Sequence, residues 1–78
     1  MNIKVGQIWK TWSREIIDTE WRFEVIKKVT YRNQIIWIAR KLGVKPDALQ
    51  IRFFDRKGEE IDDQGFGLGF FFAEQEKP

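Results

Sequence analysis

The stretch WRFEVIKKVTYRNQIIWIARKLG, residues 21–43, decides the fold. Its first part alternates cleanly: Trp21, Phe23 and Val25 fall on one side of an extended chain and Arg22 and Glu24 on the other, the period-two signature of a half-buried strand. The phase blurs at Ile26-Lys27-Lys28, and Val29 and Tyr31 are expected to resume the inner register after a bend. Tyr31-Arg32-Asn33-Gln34 can close a hairpin, with Asn33 as the residue that accepts a left-handed conformation. The segment NQIIWIARKL has two readings. As a strand, IIWI is β-branched and aromatic and apolar on both faces, which suits a buried strand of an all-β barrel. As a helix, Ile35, Ile38, Ala39 and Leu42 make an i, i+3, i+4, i+7 stripe, with Thr30 as N-cap and Gly43-Val44 before Pro46 as the ending; the fold is then α+β with a helix at about 31–43. Ile36 and Trp37 would lie off that stripe on a polar face, so the strand is preferred and the chain reads as mainly β.

On either side of this stretch the pattern stays extended. In IKVGQIWKTWSRE, Val5, Ile8, Trp9 and Trp12 are apolar among polar residues, and Gly6 marks a bulged first strand. LQIRFFDRKGEEI reads as strand, tight turn at 55–58 and return strand, with Leu49, Ile51 and Phe53 on one face. In QGFGLGFFFAEQ, Phe66, Leu68, Phe70 and Phe72 share one face of a strand and Gly65, Gly67, Gly69 and Phe71 the other. A bare glycine face invites a covering ring, from Trp9, Trp12 or Trp37. The polar tail 74–78 is expected to fray.

Seventy-eight residues make a single domain, 1–78, whose core is marginal unless its side chains are large. Seven Phe and four Trp answer that need. The chain has neither Cys nor His, so no disulfide framework and no thiolate zinc site is expected, and the usual general base and nucleophile partners are missing. No apolar run approaches 18 residues and no signal-peptide pattern opens the chain, so a cytoplasmic protein without membrane attachment is expected. The net charge of +2 conceals an asymmetry: ten Lys/Arg against four acids in residues 1–46, and four against eight in 47–78. The basic part can attract phosphates or an acidic protein surface.

Beginning with VGQIW and continuing with RFEVIKKV and IIWIARK, residues 5–41 resemble the small SH3-like barrels of bacterial, archaeal and phage proteins. This resemblance implies a five-stranded barrel. A rival resemblance covers about residues 21–61. There residues 30–47 and the succeeding LQIRFFDRKGEEIDD look like the helix, loop and hairpin of ubiquitin-like β-grasp domains, with Gly43, Val44, Pro46, Asp47, Leu49, Ile51 and Phe53 in matching places. The segment 61–70 is short for the ubiquitin loop and the sequence closes on EKP without Gly-Gly, so a conjugation role does not carry over. Neither fold dictates a function.

One constellation points to binding. Lys10, Arg14, Lys27, Lys28, Arg32, Arg40 and Lys41 are interleaved with Trp12, Tyr31 and Trp37, and in a β meander these cations can converge while a ring stacks on a base of single-stranded nucleic acid. The plain alternative is that the rings are core and the cations only solvate a small barrel. A second signal is FGLGFFF: as an edge strand, Phe66, Leu68, Phe70, Phe71 and Phe72 would pair with a partner or with a second copy. GFGLG lacks the Lys-Ser/Thr of a phosphate loop, and Asp55, Glu59, Glu60, Asp62 and Asp63 match no calcium spacing. No metal, cofactor or catalytic residue is expected. The expectation is a non-enzymatic small binding module, with nucleic-acid binding through a basic N-terminal face as one candidate; the alternatives are a protein-interaction or assembly module and a small accessory or inhibitor protein of a mobile element.

Overall fold

A computed structural model describes residues 2–13, 21–45 and 49–77. They form six strands: β1 (Ile8–Ser13), β2 (Arg22–Tyr31), β3 (Gln34–Lys41), β4 (Ile51–Asp55), β5 (Glu59–Ile61) and β6 (Gly67–Glu76). Each is antiparallel to the next and β6 returns to β1, closing a barrel. The mainly-β class holds, with six strands where five were expected. No helix forms among the described residues; Gln34–Lys41 is a strand, so the helix of the α+β alternative is absent there. Arg14, Pro46 and Asp47 lie outside the described residues.

The hairpin explains why the strand wins. Tyr31 pairs with Gln34 across a two-residue loop in which Arg32 (φ 51°) and Asn33 (φ 63°) are both left-handed, as a turn matched to strand twist requires. The eight residues of β3 then find partners on β2, and its β-branched side chains suit the pleat. β3 is apolar on both sides because both sides are used: Trp37 and Ala39 face the barrel interior, while Ile36 and Ile38 share the outer face with Phe53 and Asp55 of β4.

β2 changes phase at one residue. Val25 lies opposite Ala39 but Lys27 lies opposite Ile38, so Ile26 is an extra residue, a β-bulge. Beyond it Lys28 shares the face of Trp37, and Val29 and Tyr31 face outward beside Ile36 and Gln34. The expectation that Val29 and Tyr31 resume the inner register is therefore corrected. On β4 the same distinction separates neighbours: Phe53 is 42% exposed and Phe54 is 0% exposed.

The core is a run of rings through the barrel. Trp9 stacks on Phe72 at 5.4 Å between centroids, Phe72 on Phe54 at 4.2 Å, and Phe54 meets Phe23 edge-on at 5.2 Å. Val25, Ala39, Trp37 and Ile3 complete the cluster. Each fully buried Phe contributes about 1.5–3 kcal/mol, so these few rings supply most of what so small a domain has.

Gly6 is not in a bulged strand; at φ +94° it turns the N-terminal segment before β1, and its N–H donates to the Val25 carbonyl at 2.8 Å. Nor does β6 keep one Phe face. Gly67 lies opposite Ile61 and Phe71 opposite Glu59, so four steps of β6 match two of β5, with Gly69 (φ +82°) inside the irregularity. Phe72 enters the core, Phe70 stacks on Trp21 at 4.9 Å, Phe71 meets Trp12, and Phe66 and Leu68 are exposed. The Gly67 position is covered by the Glu59 carboxylate, not by a Trp ring. Residues 74–76, expected to fray, are instead the end of β6 and pair with β1.

Candidate functional site

The phase change in β2 puts an apolar hollow on the outside of the barrel. Val29 and Tyr31 of β2, Ile36 of β3, Phe53 of β4 and Ile61 of β5 surround about 360 Å³, bounded on the β5 side by Asp62 and Asp63. Tyr31 is 56% exposed. The floor is rigid because its residues are ladder pairs: Val29 with Ile36, Phe53 with Ile61. Asp62 shapes the neighbouring turn, its Oδ1 accepting from the Gln64 and Phe66 N–H groups at 2.9 Å each, and that turn presents Phe66 to solvent.

The cations singled out in the sequence do not share one face. Two of them, Lys10 and Arg40, belong to a charge ladder that runs across β6, β1, β2 and β3. Arg22 donates to both carboxylate oxygens of Glu76 at 2.7 and 2.8 Å, and Arg40 Nε donates to Glu24 at 2.6 Å. Lys10 lies opposite Arg22 and Glu74 on this face. The hydrogen bonds from Arg22, with the nearby charges of Arg22 and Lys10, hold the Glu76 carboxyl below its ordinary range. Lys28 sits over Trp37 at 5.5 Å, Arg32 over Tyr31 at 5.2 Å, and Lys41 over Trp21 at 4.1 Å. Lys27 is exposed on the outer face opposite Ile38. Trp37, 8% exposed, has no free face for a base, whereas Trp12 is exposed and packs on Phe71. Thus Lys28, Tyr31 and Arg32 fall toward the β2–β3 hairpin, while Lys10 and Arg40 belong to the ladder.

The edge-strand interface through Phe66–Phe72 also changes. Gly67 and Phe71 pair with β5, and Phe70, Phe71 and Phe72 pair with β1, so this stretch is occupied on both sides. Within it, the side chains of Phe66 and Leu68 are exposed for contact.

The acids have separate structural tasks. Asp55 Oδ1 accepts from the Lys57 and Glu59 N–H groups at 2.8 and 3.0 Å, closing the β4–β5 turn at Gly58 (φ +84°). Glu60 pairs with Phe54 on the interior face, 3.8 Å from Arg52 Nε. Its burial pushes the carboxyl above its ordinary value, and Arg52 opposes that only in part. Among the described residues no group of three or more acids, His or Cys is disposed to hold a metal, and no helix is long and apolar enough to cross a membrane.

No protein-family model, no curated protein and no solved structure matches the chain. Of the residues around the hollow, Ile36 is visible in the sequence through the two-sided apolarity of IIWI, Phe53 through its shared face with Leu49 and Ile51, and Val29 and Tyr31 through an alternation expected to turn them inward. Ile26, the bulge that turns Val29 and Tyr31 outward, falls where the alternation blurs, a local mark that does not give the direction in which the later residues turn.

Proposed function

We propose that this protein is a non-enzymatic binding module that docks a segment of a protein partner on the outer face of β2–β5. The observation that carries the reading is the hollow lined by Val29, Tyr31, Ile36, Phe53 and Ile61. Exposed apolar surface gathered on a rigid sheet and rimmed by polar groups is characteristic of interaction sites. The occupant that fits is an apolar anchor side chain next to a Lys or Arg, because Asp62 and Asp63 border the hollow on one side. With no His or Cys in the sequence and Asp55, Asp62 and Glu59 in structural use, the described residues assemble no acid, base and nucleophile set. In this reading the barrel is a six-stranded relative of SH3-like architecture, which the VGQIW opening and the meander support.

Selection of a random displayed peptide library against the folded chain tests the reading. Enriched peptides should carry an aromatic or aliphatic anchor beside a basic residue and lose binding to a Phe53→Ser variant. Enrichment that ignores Phe53→Ser, or none at all, refutes it.

A further inference from the structure

We infer that a second site, between the N-terminal segment and the β4–β5 turn, binds the phosphate of a nucleotide, with Lys4, Lys28 and Arg56 as its cations and Trp37, Ile35 and Val5 as its apolar wall. These residues line one cavity of about 650 Å³, within the size range of small-molecule sites. No acidic residue lines it.

The cations differ from the paired arginines of the barrel in what surrounds them. Arg22, Arg40 and Arg52 each face a carboxylate. Lys4, Lys28 and Arg56 form no ion pair among the described residues. Asp55, next to Arg56 in sequence, spends its Oδ1 on two backbone N–H groups of its own turn. Three like charges around one concavity repel, and an anion seated among them removes that repulsion.

The wall is built, not incidental. Gln7 Oε1 accepts from the Lys4 N–H at 2.8 Å and from Trp9 Nε1 at 2.9 Å, the Val25 N–H donates to the Gln7 carbonyl at 2.9 Å, and Ile3 is buried in the core. Lys4 is thereby attached to the same body as Lys28, whose ammonium is held over Trp37. A bare phosphate would use only the cations; the exposed Val5 and Ile35 suit the sugar and base attached to it, while Trp37, largely buried under Lys28, borders the cavity without stacking on the base.

The test is a ¹⁵N–¹H titration of the whole chain with a short oligothymidylate, with thymidine monophosphate and with inorganic phosphate. Either nucleotide ligand should move the Trp37 indole and Lys28 amide signals more strongly than inorganic phosphate does at equal concentration. Neutralising one phosphate of a single strand implies a log–log salt slope of about −0.7, or roughly 2.6-fold weaker binding between 50 and 200 mM salt. Lys28→Gln and Arg56→Gln should each weaken binding about fivefold at 0.1 M salt, while Lys28→Arg, Arg40→Gln and Phe53→Ser retain it. Tighter binding of the oligomer identifies a nucleic-acid strand as the source of the phosphate, and equal binding identifies a free nucleotide; both uphold the site. Unmoved Trp37 and Lys28 signals, inorganic phosphate binding as tightly as both nucleotides, or undiminished binding by Lys28→Gln and Arg56→Gln overturns it.

Discussion

Lys27 lies directly opposite Ile38, although Val25, two positions earlier, lies opposite Ala39, so Ile26 is an insertion in an otherwise continuous ladder. That single residue decides which side of the barrel Val29 and Tyr31 occupy relative to Phe23 and Val25.

Removing Ile26 should therefore leave every other side chain of β2 on its present face. The deletion is expected to fold with a loss of about 1–2 kcal/mol, from altered strand curvature, and to keep a Lys27–Ile38 cross-strand contact by NMR. Removing Lys28 instead shifts the pairing of Val29 by one place and turns it inward. That variant should lose both cooperative unfolding and the outer hollow; equal behaviour of the two deletions would contradict the assigned register.

Phe53 and Phe54 are adjacent in sequence and opposite in environment. Phe54→Ala removes the middle of the ring run and should cost about 3–5 kcal/mol, a large part of what a domain this size possesses. Phe53→Ala should cost about 1 kcal/mol or less, the scale of a cross-strand pair. Urea denaturation of the two variants measures the contrast.

Glu60 should make the fold less stable as pH rises. Its carboxyl is raised by burial in the folded chain, so the contribution favouring folding is fully present below its unfolded pKa and is lost as pH climbs through the higher folded value. Glu60→Gln is accordingly expected to melt above the parent at pH 7, and the gap should close in acid. Thermal melts of both proteins between pH 3 and pH 7 decide it; a variant melting below the parent at pH 7 would show that the Arg52 pairing outweighs burial.

Glu76 has the opposite sign. Arg22 holds its carboxyl below the ordinary range, so its contribution is present above the unfolded pKa and fades as pH falls through the folded value. Because the pair is exposed, Glu76→Gln should lower the melting temperature only slightly at neutral pH, and molar salt should erase the difference. A loss that persists in high salt would point to packing instead of charge.

The same geometry sets how far the site is legible in the residues. The alternation of Trp21, Phe23 and Val25 marks a strand because a period of two is local. The left-handed Asn33 and the 55–58 turn are legible for a similar reason: turn chemistry resides in a few consecutive residues. Lys10 and Arg40 look like members of one basic face because no local pattern reveals that Glu76 and Glu24 stand across the ladder from Arg22 and Arg40. Lys4 and Arg56 carry no local signal at all, since they are far apart in the chain and meet at one cavity only through closure of the barrel.

What the sequence by itself determined is the class of this protein: strands from short-range alternation and β-branching, a core dependent on aromatic rings, and chemistry without His or Cys. The tertiary structure decided which apolar residues are core and which are surface. An extra residue in β2 and the irregularity around Gly69 in β6 reset the inside–outside phase, and such a reset depends on the partner strand opposite, which lies elsewhere in the chain.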